Sequence, residues 1–183
     1  SVTENNNKIL INLLSYDSSG KLTNIVSNTL RQNVATYLSN YRMMNDYISV
    51  ISAEVIDLGI EISVVLDATQ NSGQIVSDIA NRISDYFNPQ VRQLGQNVYL
   101  SELKSIIQNQ NGVITVTDIV VDNKVGGQYS SAQTSMQYLD PELKIIRPVD
   151  DTIFAEPVQV YQIRYPQKDI KVRVKNFQNV SFS

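Results

Sequence analysis

Two long stretches of the chain repeat apolar residues at the 3.6-residue period of an amphipathic helix. One stripe is formed by Leu22, Ile25, Val26, Leu30, Val34, Tyr37, Leu38 and Tyr41. The other is formed by Ile75, Val76, Ile79, Ala80, Ile83, Tyr86 and Phe87. Asn71 or Ser72 can cap the second helix, and Asn88-Pro89 ends it because proline disfavours helix in the preceding residue. We predict helices over 21–41 and 74–87, with both stripes packed into a core.

A shorter helix and a strand follow. Apolar residues share one side of the predicted helix 101–108, and Gly112 is the expected left-handed stop after it. Ser101 opens this helix and Glu102 lies in its first turn, an arrangement typical of capping. The β-branched run 113–121 predicts a strand that is buried on both faces.

Two further strands are predicted before the second helix, over 47–56 and 60–66. Asp57-Leu58-Gly59 is predicted to form a turn or bulge between them. In the second strand, apolar residues alternate with Glu61, Ser63 and Val65, which predicts one buried face and one partly solvated face.

The two ends of the chain differ from its middle. Residues 1–20 are predicted to be a connecting segment, because the apolar run 9–14 is too short to classify by its period. Beyond Val121 the sequence becomes rich in Gly, Ser and Gln, and then contains proline and two predicted strands, 158–165 and 170–174, joined by a turn at 166–169. We predict an α+β fold: a small mixed sheet covered by about three helices over 21–122, followed by a strand-rich arm over 123–183.

The composition narrows the possible functions. The chain contains no Cys and no His, which removes thiolate zinc sites, disulfides and the usual general base. A net charge of −3 does not favour nucleic acid as a partner, and no apolar run approaches the roughly 20 residues that span a bilayer. Asn and Gln together are as numerous as all charged residues. This amide-rich, weakly charged composition suits a protein that packs against other proteins.

Several short motifs have a catalytic interpretation and a simpler one. Ser101 and Lys104 match the S-x-x-K pair of penicillin-recognising enzymes, but the accompanying S-D-N and K-T-G elements are missing from the sequence. The carboxylates of the strand region could form a glycosidase-like acid pair, although strand carboxylates more often lie on a solvated face. They are Glu54, Asp57, Glu61 and Asp67. We therefore predict no catalytic residues, no metal site, no cofactor and no small-molecule substrate.

Two loop motifs and the tyrosines also have simple explanations. Asp150-Asp151 is predicted to be a turn, and Gly126-Gly127 a flexible turn rather than a phosphate cradle. Tyrosines can stack on nucleic acid bases, but Tyr37, Tyr41 and Tyr86 lie on predicted helix stripes and are expected to be core residues. The basic row of the last predicted strand is short for phosphate binding. It consists of Lys171, Arg173 and Lys175.

Three stretches taken together resemble a known family. They are Ala35-Thr36-Tyr37-Leu38 running into Tyr41-Arg42 and Asp46-Tyr47, Asp85-Tyr86-Phe87-Asn88-Pro89 followed by 94–103, and the Gly112-Val113 entry into the strand. In this order, over about 21–121, they resemble the conserved domain of the J-like family of phage baseplate wedge proteins. The arm, with Pro148-Val149-Asp150-Asp151 and Lys168-Asp169-Ile170, resembles the C-terminal part of the T4-like wedge protein that forms the inner ring of the baseplate.

The resemblance implies a structural role in a contractile tail. It implies a subunit that binds copies of itself and other wedge proteins, that belongs to the virion, and that is assembled in the host cytoplasm. The family has no catalytic residues, so the resemblance assigns none to this chain. A T4-like protein has a longer N-terminal part, so the expectation is a C-terminal portion. The alternative is a ligand- or glycan-binding accessory domain of a tail, for which tyrosine-rich strands would supply a platform.

The arm is the expected interface, because an isolated two-stranded ribbon is marginal in water and must pair with an edge or pack on something. Part of it can fold back on its own sheet, and the remainder is expected to lie against a neighbouring subunit by strand pairing. The basic row would then meet an acidic surface. The predicted interface residues are Tyr161, Ile163, Tyr165, Ile170, Lys171, Val172, Arg173, Val174 and Lys175.

Overall fold

A computed structural model of the chain describes residues 2–5, 8–41 and 47–175. Its N-terminal elements are β1 (Val2–Asn5), β2 (Lys8–Leu13), β3 (Ser15–Tyr16), β4 (Leu22–Thr23), α1 (Asn28–Ser39) and β5 (Tyr47–Ser52). They are followed by β6 (Glu54–Leu66), α2 (Ser72–Tyr86), β7 (Val98–Tyr99), α3 (Leu100–Gln108) and β8 (Val113–Lys124). The last elements are β9 (Ile145–Ile146), β10 (Thr152–Ile153), β11 (Gln159–Gln162), α4 (Pro166–Asp169) and β12 (Ile170–Val174). The predicted α+β class is confirmed.

The 13-residue strand β6 is the centre of the main sheet. On one side it pairs antiparallel with β8, which in turn pairs with β9. On its other side it pairs in parallel with two short strands, β11 along its first part and β12 along its second. Val55 lies opposite Val160, and Ile60 lies opposite Ile170. Because partners lie on both sides of β6, its apolar side chains form the middle of the core.

Helices α2 and α3 contribute to this core as the sequence predicts. Asn71 caps α2 by accepting hydrogen bonds from the backbone N–H groups of Gly73 and Gln74. The buried side chains of α2 are Ile75, Ile79 and Ile83, and those of α3 are Leu100, Leu103 and Ile107. Gly112 has a φ of 85°, the expected left-handed conformation. Both predicted helices are confirmed to within two residues at each end.

The first predicted helix is wrong in its N-terminal part. Leu22 pairs with Tyr16 in a short hairpin, and its backbone N–H and C=O both bond to the side chain of Gln162. These bonds hold the segment extended. The helix begins only at Asn28, where Ser27 caps it by accepting a hydrogen bond from Leu30 N at 3.2 Å. Helix α1 packs against β5, which belongs to a separate three-stranded sheet with the order β1-β2-β5.

Three further details differ from the sequence predictions. Strand β6 runs through 57–59 without a turn, because Asp57, Leu58 and Gly59 all pair with β8. Strand β8 is not buried on both faces, since Ile114, Thr117 and Asp118 are exposed. Ser101 is not the cap of α3, because the cap position is Tyr99, which makes no side-chain capping bond. The carbonyl of Asp151 instead accepts the N–H of Leu100 at 2.7 Å.

The last two strands, β11 and β12, belong to the main sheet. The predicted strand 170–174 is confirmed residue for residue as β12, while 158–165 is shorter, at Gln159–Gln162. The predicted turn at 166–169 is a single helical turn that begins at Pro166. The part of the predicted arm over 176–183 lies outside the described residues, as do 1, 6–7 and 42–46.

Candidate protein-interaction surface

Three of the predicted interface residues are core residues of the chain itself. The side chains of Tyr161, Ile163 and Ile170 are 0%, 4% and 7% exposed. The burial of Tyr161 and Ile170 follows from the parallel pairing of β11 and β12 with β6, and Ile163, just after β11, belongs to the same core. These three residues are therefore removed from the candidate surface. Val172 is half-buried and packs against the same core.

The opposite side of β12 is exposed and carries the basic row. Lys171, Arg173 and Lys175 are exposed, and Val174 is 42% exposed. The guanidinium of Arg173 lies 2.9 Å from a carboxylate oxygen of Glu61 on the neighbouring strand β6. Glu61 offsets the positive charge of Arg173, the middle residue of the basic row. Because the pair is exposed, it contributes little to the stability of the fold. Two lysines, Lys171 and Lys175, keep their charges available at the two ends of the strand.

The outer edge of β12 carries no partner strand among the described residues. The N–H of Lys175 donates to the carbonyl of Val64 at 2.8 Å. The backbone groups of Lys175, and of every second residue before it in β12, therefore point toward β6. Since successive backbone groups of a strand alternate in direction, those of Val172 and Val174 point outward. An open edge of this kind can pair with a strand of another chain.

Tyr165 lies at the start of α4 and contacts its own chain. Its ring packs edge-on against Tyr129 with the centroids 5.6 Å apart, and its backbone N–H donates to Asp169 at 2.9 Å. The Tyr129 hydroxyl donates to the other oxygen of Asp169 at 2.7 Å. Burial and this hydrogen bond raise the pKa of Tyr129, so its hydroxyl keeps its proton. Only part of the Tyr165 side chain is left for an external contact.

A buried polar cluster around Asp57 lies beneath this region. Asp57 is 0% exposed and accepts hydrogen bonds from Gln162 Nε2 at 2.9 Å and from Ser130 N at 2.6 Å. Gln162 also bonds to both backbone groups of Leu22, and Arg164 donates to the Leu22 carbonyl at 3.2 Å. Burial raises the pKa of Asp57, although the two hydrogen bonds oppose that rise. The cluster joins β6, β11, β4 and the loop after β8, which makes it a structural junction.

The sequence did not predict this junction. Asp57 is separated from Leu22, Ser130 and Gln162 by long stretches of chain, and only the folded sheet brings them together. One signal was present: a carboxylate and an amide inside strongly apolar strands must find partners, because burying them unpaired is costly.

The other carboxylates of the predicted acid group each have their own partner. Glu54 accepts a hydrogen bond from Gln159 at 3.0 Å, and Glu61 pairs with Arg173. Asp67 accepts the N–H and the hydroxyl of Thr69 in the loop before α2. No hydrogen bond among the described residues joins two of these side chains.

The turn predictions at the two loop motifs are confirmed. Asp150 and Asp151 both have positive φ, 50° and 56°, and the N–H of Thr152 donates to the carbonyl of Val149. Two successive positive φ values define a tight hairpin turn. Gly126 and Gly127 have φ values of 79° and 63° and also form a turn. The Gly-Gly turn presents the backbone N–H of Ser130 to Asp57.

Two surface clefts carry charged residues. One has a volume of about 460 Å³ and lies between the β3–β4 hairpin and the end of α2, with Lys21 and Asp85 as its charged residues. A second, of about 250 Å³, contains Ser101 and Lys104 beside Asp118 and Asp151. Within the described part of the chain, no group of three carboxylates could hold a metal ion, and no helix is long and apolar enough to cross a membrane.

Two residues predicted to be core are instead on the surface. Tyr37 and Tyr41 are 62% and 71% exposed, whereas Tyr86 is half-buried and packs against the main core. Tyr86 also donates a hydrogen bond to Glu102 at 3.0 Å. The difference arises because α2 packs on the main sheet, whereas α1 packs on β5, at the edge of the small N-terminal sheet.

Comparison with known proteins gives a fold similarity. No family model matches the chain, and no curated protein matches it. The fold is similar to that of a chain in the cryo-EM structure of the anti-feeding prophage (AFP) baseplate, 6-fold symmetrised, with a TM-score of 0.55 and 14% sequence identity. The match covers 85% of this chain and 29% of the baseplate chain. This chain therefore corresponds to less than a third of the length of that protein, and the similarity establishes the fold.

Proposed function

We propose that the chain is a structural subunit of a contractile-tail baseplate wedge that acts through protein–protein contacts. One observation carries this proposal: 85% of the chain matches the fold of a chain in the AFP baseplate. The resemblance to J-like wedge proteins, which rests on different evidence, leads to the same class of assembly. The amide-rich, weakly charged composition supports it as well.

We further propose that β12 contributes to the contact with other wedge proteins or with another copy of the chain. Among the described residues its outer edge has no partner strand, and Lys171 and Lys175 offer positive charge beside that edge. Complementary charge at the rim of an interface affects the rate of association and the choice of partner more than the affinity. An acidic strand or loop of the neighbour would fit this surface. The proposed role needs no cofactor and no catalytic residue.

The alternative is a ligand- or glycan-binding accessory domain of a tail, and it depends on a platform of exposed tyrosines on the strands. Tyr16, Tyr47 and Tyr99 are exposed, but they lie in three different sheets. Tyr161 is buried, and Tyr165 packs against Tyr129.

Locating the chain in assembled particles tests the proposal. In tails that carry a tagged chain, electron microscopy should place the tag in the inner ring of the baseplate. A tag at the periphery would favour an accessory domain, and a chain absent from purified tails would refute the assembly role.

Charge reversal tests the surface separately. Because β11 and β12 are core strands, truncation at 141–183 would unfold the sheet, and exposed point variants are more informative. Lys171→Glu combined with Lys175→Glu should reduce incorporation into tails severalfold, while the fold is unchanged. Lys104→Glu, on an exposed face of α3, is the control and should be incorporated normally. Normal incorporation of the double variant would exclude this edge as a contact.

A further inference from the structure

The outer edge of strand β8 is only partly covered. Its C-terminal end pairs with β9. Toward its N-terminal end, the side-chain amide of Gln108 takes the position of a partner strand. Its Nε2 donates to the carbonyl of Ile114 at 2.8 Å, and its Oε1 accepts the N–H of Val116 at 3.1 Å. Between these two covered parts, over 117–120, no strand among the described residues pairs with the outer edge.

Ile119, inside this gap, directs its backbone groups toward the open edge. The N–H of Asn123 donates to the carbonyl of Lys144 at 2.9 Å, so the backbone of Asn123 points outward from β6. In an antiparallel strand every second residue points the same way, and the pairing of β8 with β6 is regular from Asp118 to Lys124. The N–H and C=O of Ile119 therefore point outward as well. Neither has a hydrogen-bond partner among the described residues.

Pro148 explains why β9 does not cover Ile119. In the register of β9, Val121 lies opposite Ile146, so a longer β9 would bring Pro148 opposite Ile119. Proline has no backbone N–H and could not donate to the Ile119 carbonyl. The ladder of β9 ends at Ile146, and the chain turns at 150–151. The gap in the edge therefore follows from the sequence of the strand that would otherwise fill it.

The gap coincides with the second surface cleft, of about 250 Å³. Residues of β8, including Ile119, line this cleft together with residues of α3 and of the turn after β9. Its charged residues are Lys104, Asp118 and Asp151, which are exposed and form no ion pair among the described residues. Because two carboxylates accompany one ammonium group, the lining of the cleft is net negative.

An extended peptide segment is the ligand that fits this edge. Both neighbouring parts of the edge are already paired with amide groups, the backbone of β9 on one side and the Gln108 side chain on the other. The gap over 117–120 is on the order of 13 Å long at about 3.3 Å per residue, which is enough for about four extended residues. The two carboxylates favour a segment with a basic side chain.

We propose that the edge of β8 around Ile119 binds an extended segment of another protein, which carries a lysine or arginine for Asp118 and Asp151. The bound segment adds a short strand to the main sheet, a common mode of peptide recognition. This edge and β12 lie on opposite sides of β6, and the two surfaces select partners of opposite charge. The proposal concerns the purified chain and does not depend on its place in a baseplate.

Peptide titration followed by NMR is the first test. The probe is a blocked pentapeptide, acetyl-Thr-Val-Lys-Val-Thr-amide. When one of its valines pairs with Ile119, its lysine lies on the same face of the sheet as Asp118. The amide signal of Ile119 should move downfield and saturate, with a dissociation constant in the millimolar range because the contact is small. An unchanged Ile119 signal at saturating peptide would overturn the proposal.

Methylated probes test whether the contact is a backbone pairing. Methylation of both valine nitrogens removes the N–H groups that face β8 and should weaken binding at least about fivefold. Methylation of the lysine nitrogen, which points away from β8, should change the affinity by less than about twofold. Equal effects of the two modifications would contradict strand addition.

Charge variants test the choice of a basic segment. Asp118→Asn combined with Asp151→Asn should weaken binding of the lysine probe about fivefold at low salt, and Lys104→Glu should strengthen it. Asp85→Asn, at an exposed carboxylate of the other cleft, is the matched control and should bind as the wild type does. A probe with glutamate in place of lysine that binds equally well would refute the basic partner. Failure of these tests would leave the baseplate role standing, because that role is tested in assembled tails.

Discussion

Helices α1 and α2 have similar apolar stripes in sequence and different environments in the structure. Helix α2 buries Ile75, Ile79 and Ile83 against a sheet whose central strand has partners on both sides. Helix α1 buries none of its side chains, and packs on β5 of the small N-terminal sheet. The rest of the chain therefore covers the apolar side of α2 and leaves part of the apolar side of α1 exposed. The helical period of a sequence shows which face of a helix is apolar. It does not show which other element packs against that face.

The strongest test of this contrast is to remove one apolar side chain from each helix. Ile79→Ala should lower the free energy of unfolding by about 3–4 kcal/mol, because the side chain is fully buried and the substitution leaves a cavity. Val34→Ala, at a half-buried position of α1, should lower the free energy of unfolding of the monomeric chain by less than about 1 kcal/mol. Urea denaturation of both variants gives the comparison. Equal losses would show that α1 is part of the same core.

The Asp57 junction connects the N-terminal hairpin to the main sheet, and Gln162 is its central residue. Gln162→Leu preserves the approximate volume and removes the bonds to Asp57 and to Leu22. Buried groups that lose their partners cost about 1–3 kcal/mol, so we expect a loss near 3 kcal/mol. Gln93→Leu, at an exposed glutamine, is the control and should be almost neutral. A Gln162→Leu variant as stable as the wild type would contradict the structural role of the junction.

Substitution of Gly112 tests how closely the loop before β8 approaches α2. An alanine Cβ at this position would collide with Ile75 Cδ1, and the φ of 85° also disfavours alanine. We expect Gly112→Ala to cost about 2 kcal/mol or more in thermal unfolding. Gly126→Ala has a similar φ of 79° and open space around the new Cβ. It should cost only about 1 kcal/mol, so the difference between the two variants measures the contact with α2.

The attachment of the N-terminal hairpin should depend on pH through Asp17. Hydrogen bonds from Ser19 and Lys21, together with Arg164, lower the pKa of Asp17 from 3.8 to about 2. A carboxylate with a lowered pKa stabilises the fold above pH 3.8, and this contribution is lost as the pH falls through about 2. Asp17→Asn should lower the free energy of unfolding by about 1 kcal/mol at pH 7, since solvent weakens the pair, and by almost nothing well below pH 2. A loss of the same size well below pH 2 would show another cause.

The smallest effect on stability is expected at Tyr37, an exposed residue of α1. Tyr37→Ser in the monomeric chain removes an exposed ring and should change the free energy of unfolding by less than about 0.5 kcal/mol. A loss above about 2 kcal/mol in thermal unfolding would show that the ring packs on its own chain.

The sequence predicted the elements that local chemistry determines. Helices α2 and α3 have strong caps or stops and a complete stripe, and β12 has strict alternation, so their bounds were close to correct. The start of α1 was wrong because Leu22 is held by Gln162, a contact across most of the chain. The burial of Tyr161 was missed for a similar reason, because parallel pairing of distant strands leaves no local pattern. In the candidate surface, the exposed basic residues could be predicted from alternation, but the edge to which they belong could not.

Hydrogen exchange of the backbone amides tests the central claim directly, because it compares the two regions in one experiment. In the dilute, monomeric chain, amides of α2 and β6 should exchange only through global unfolding, while those of α1 should exchange orders of magnitude faster through local opening. In assembled tails, the outer edge of β12 should become protected, while the core strands should change little. Protection of α1 equal to that of α2 in the free chain, or no gain of protection in tails, would contradict the account.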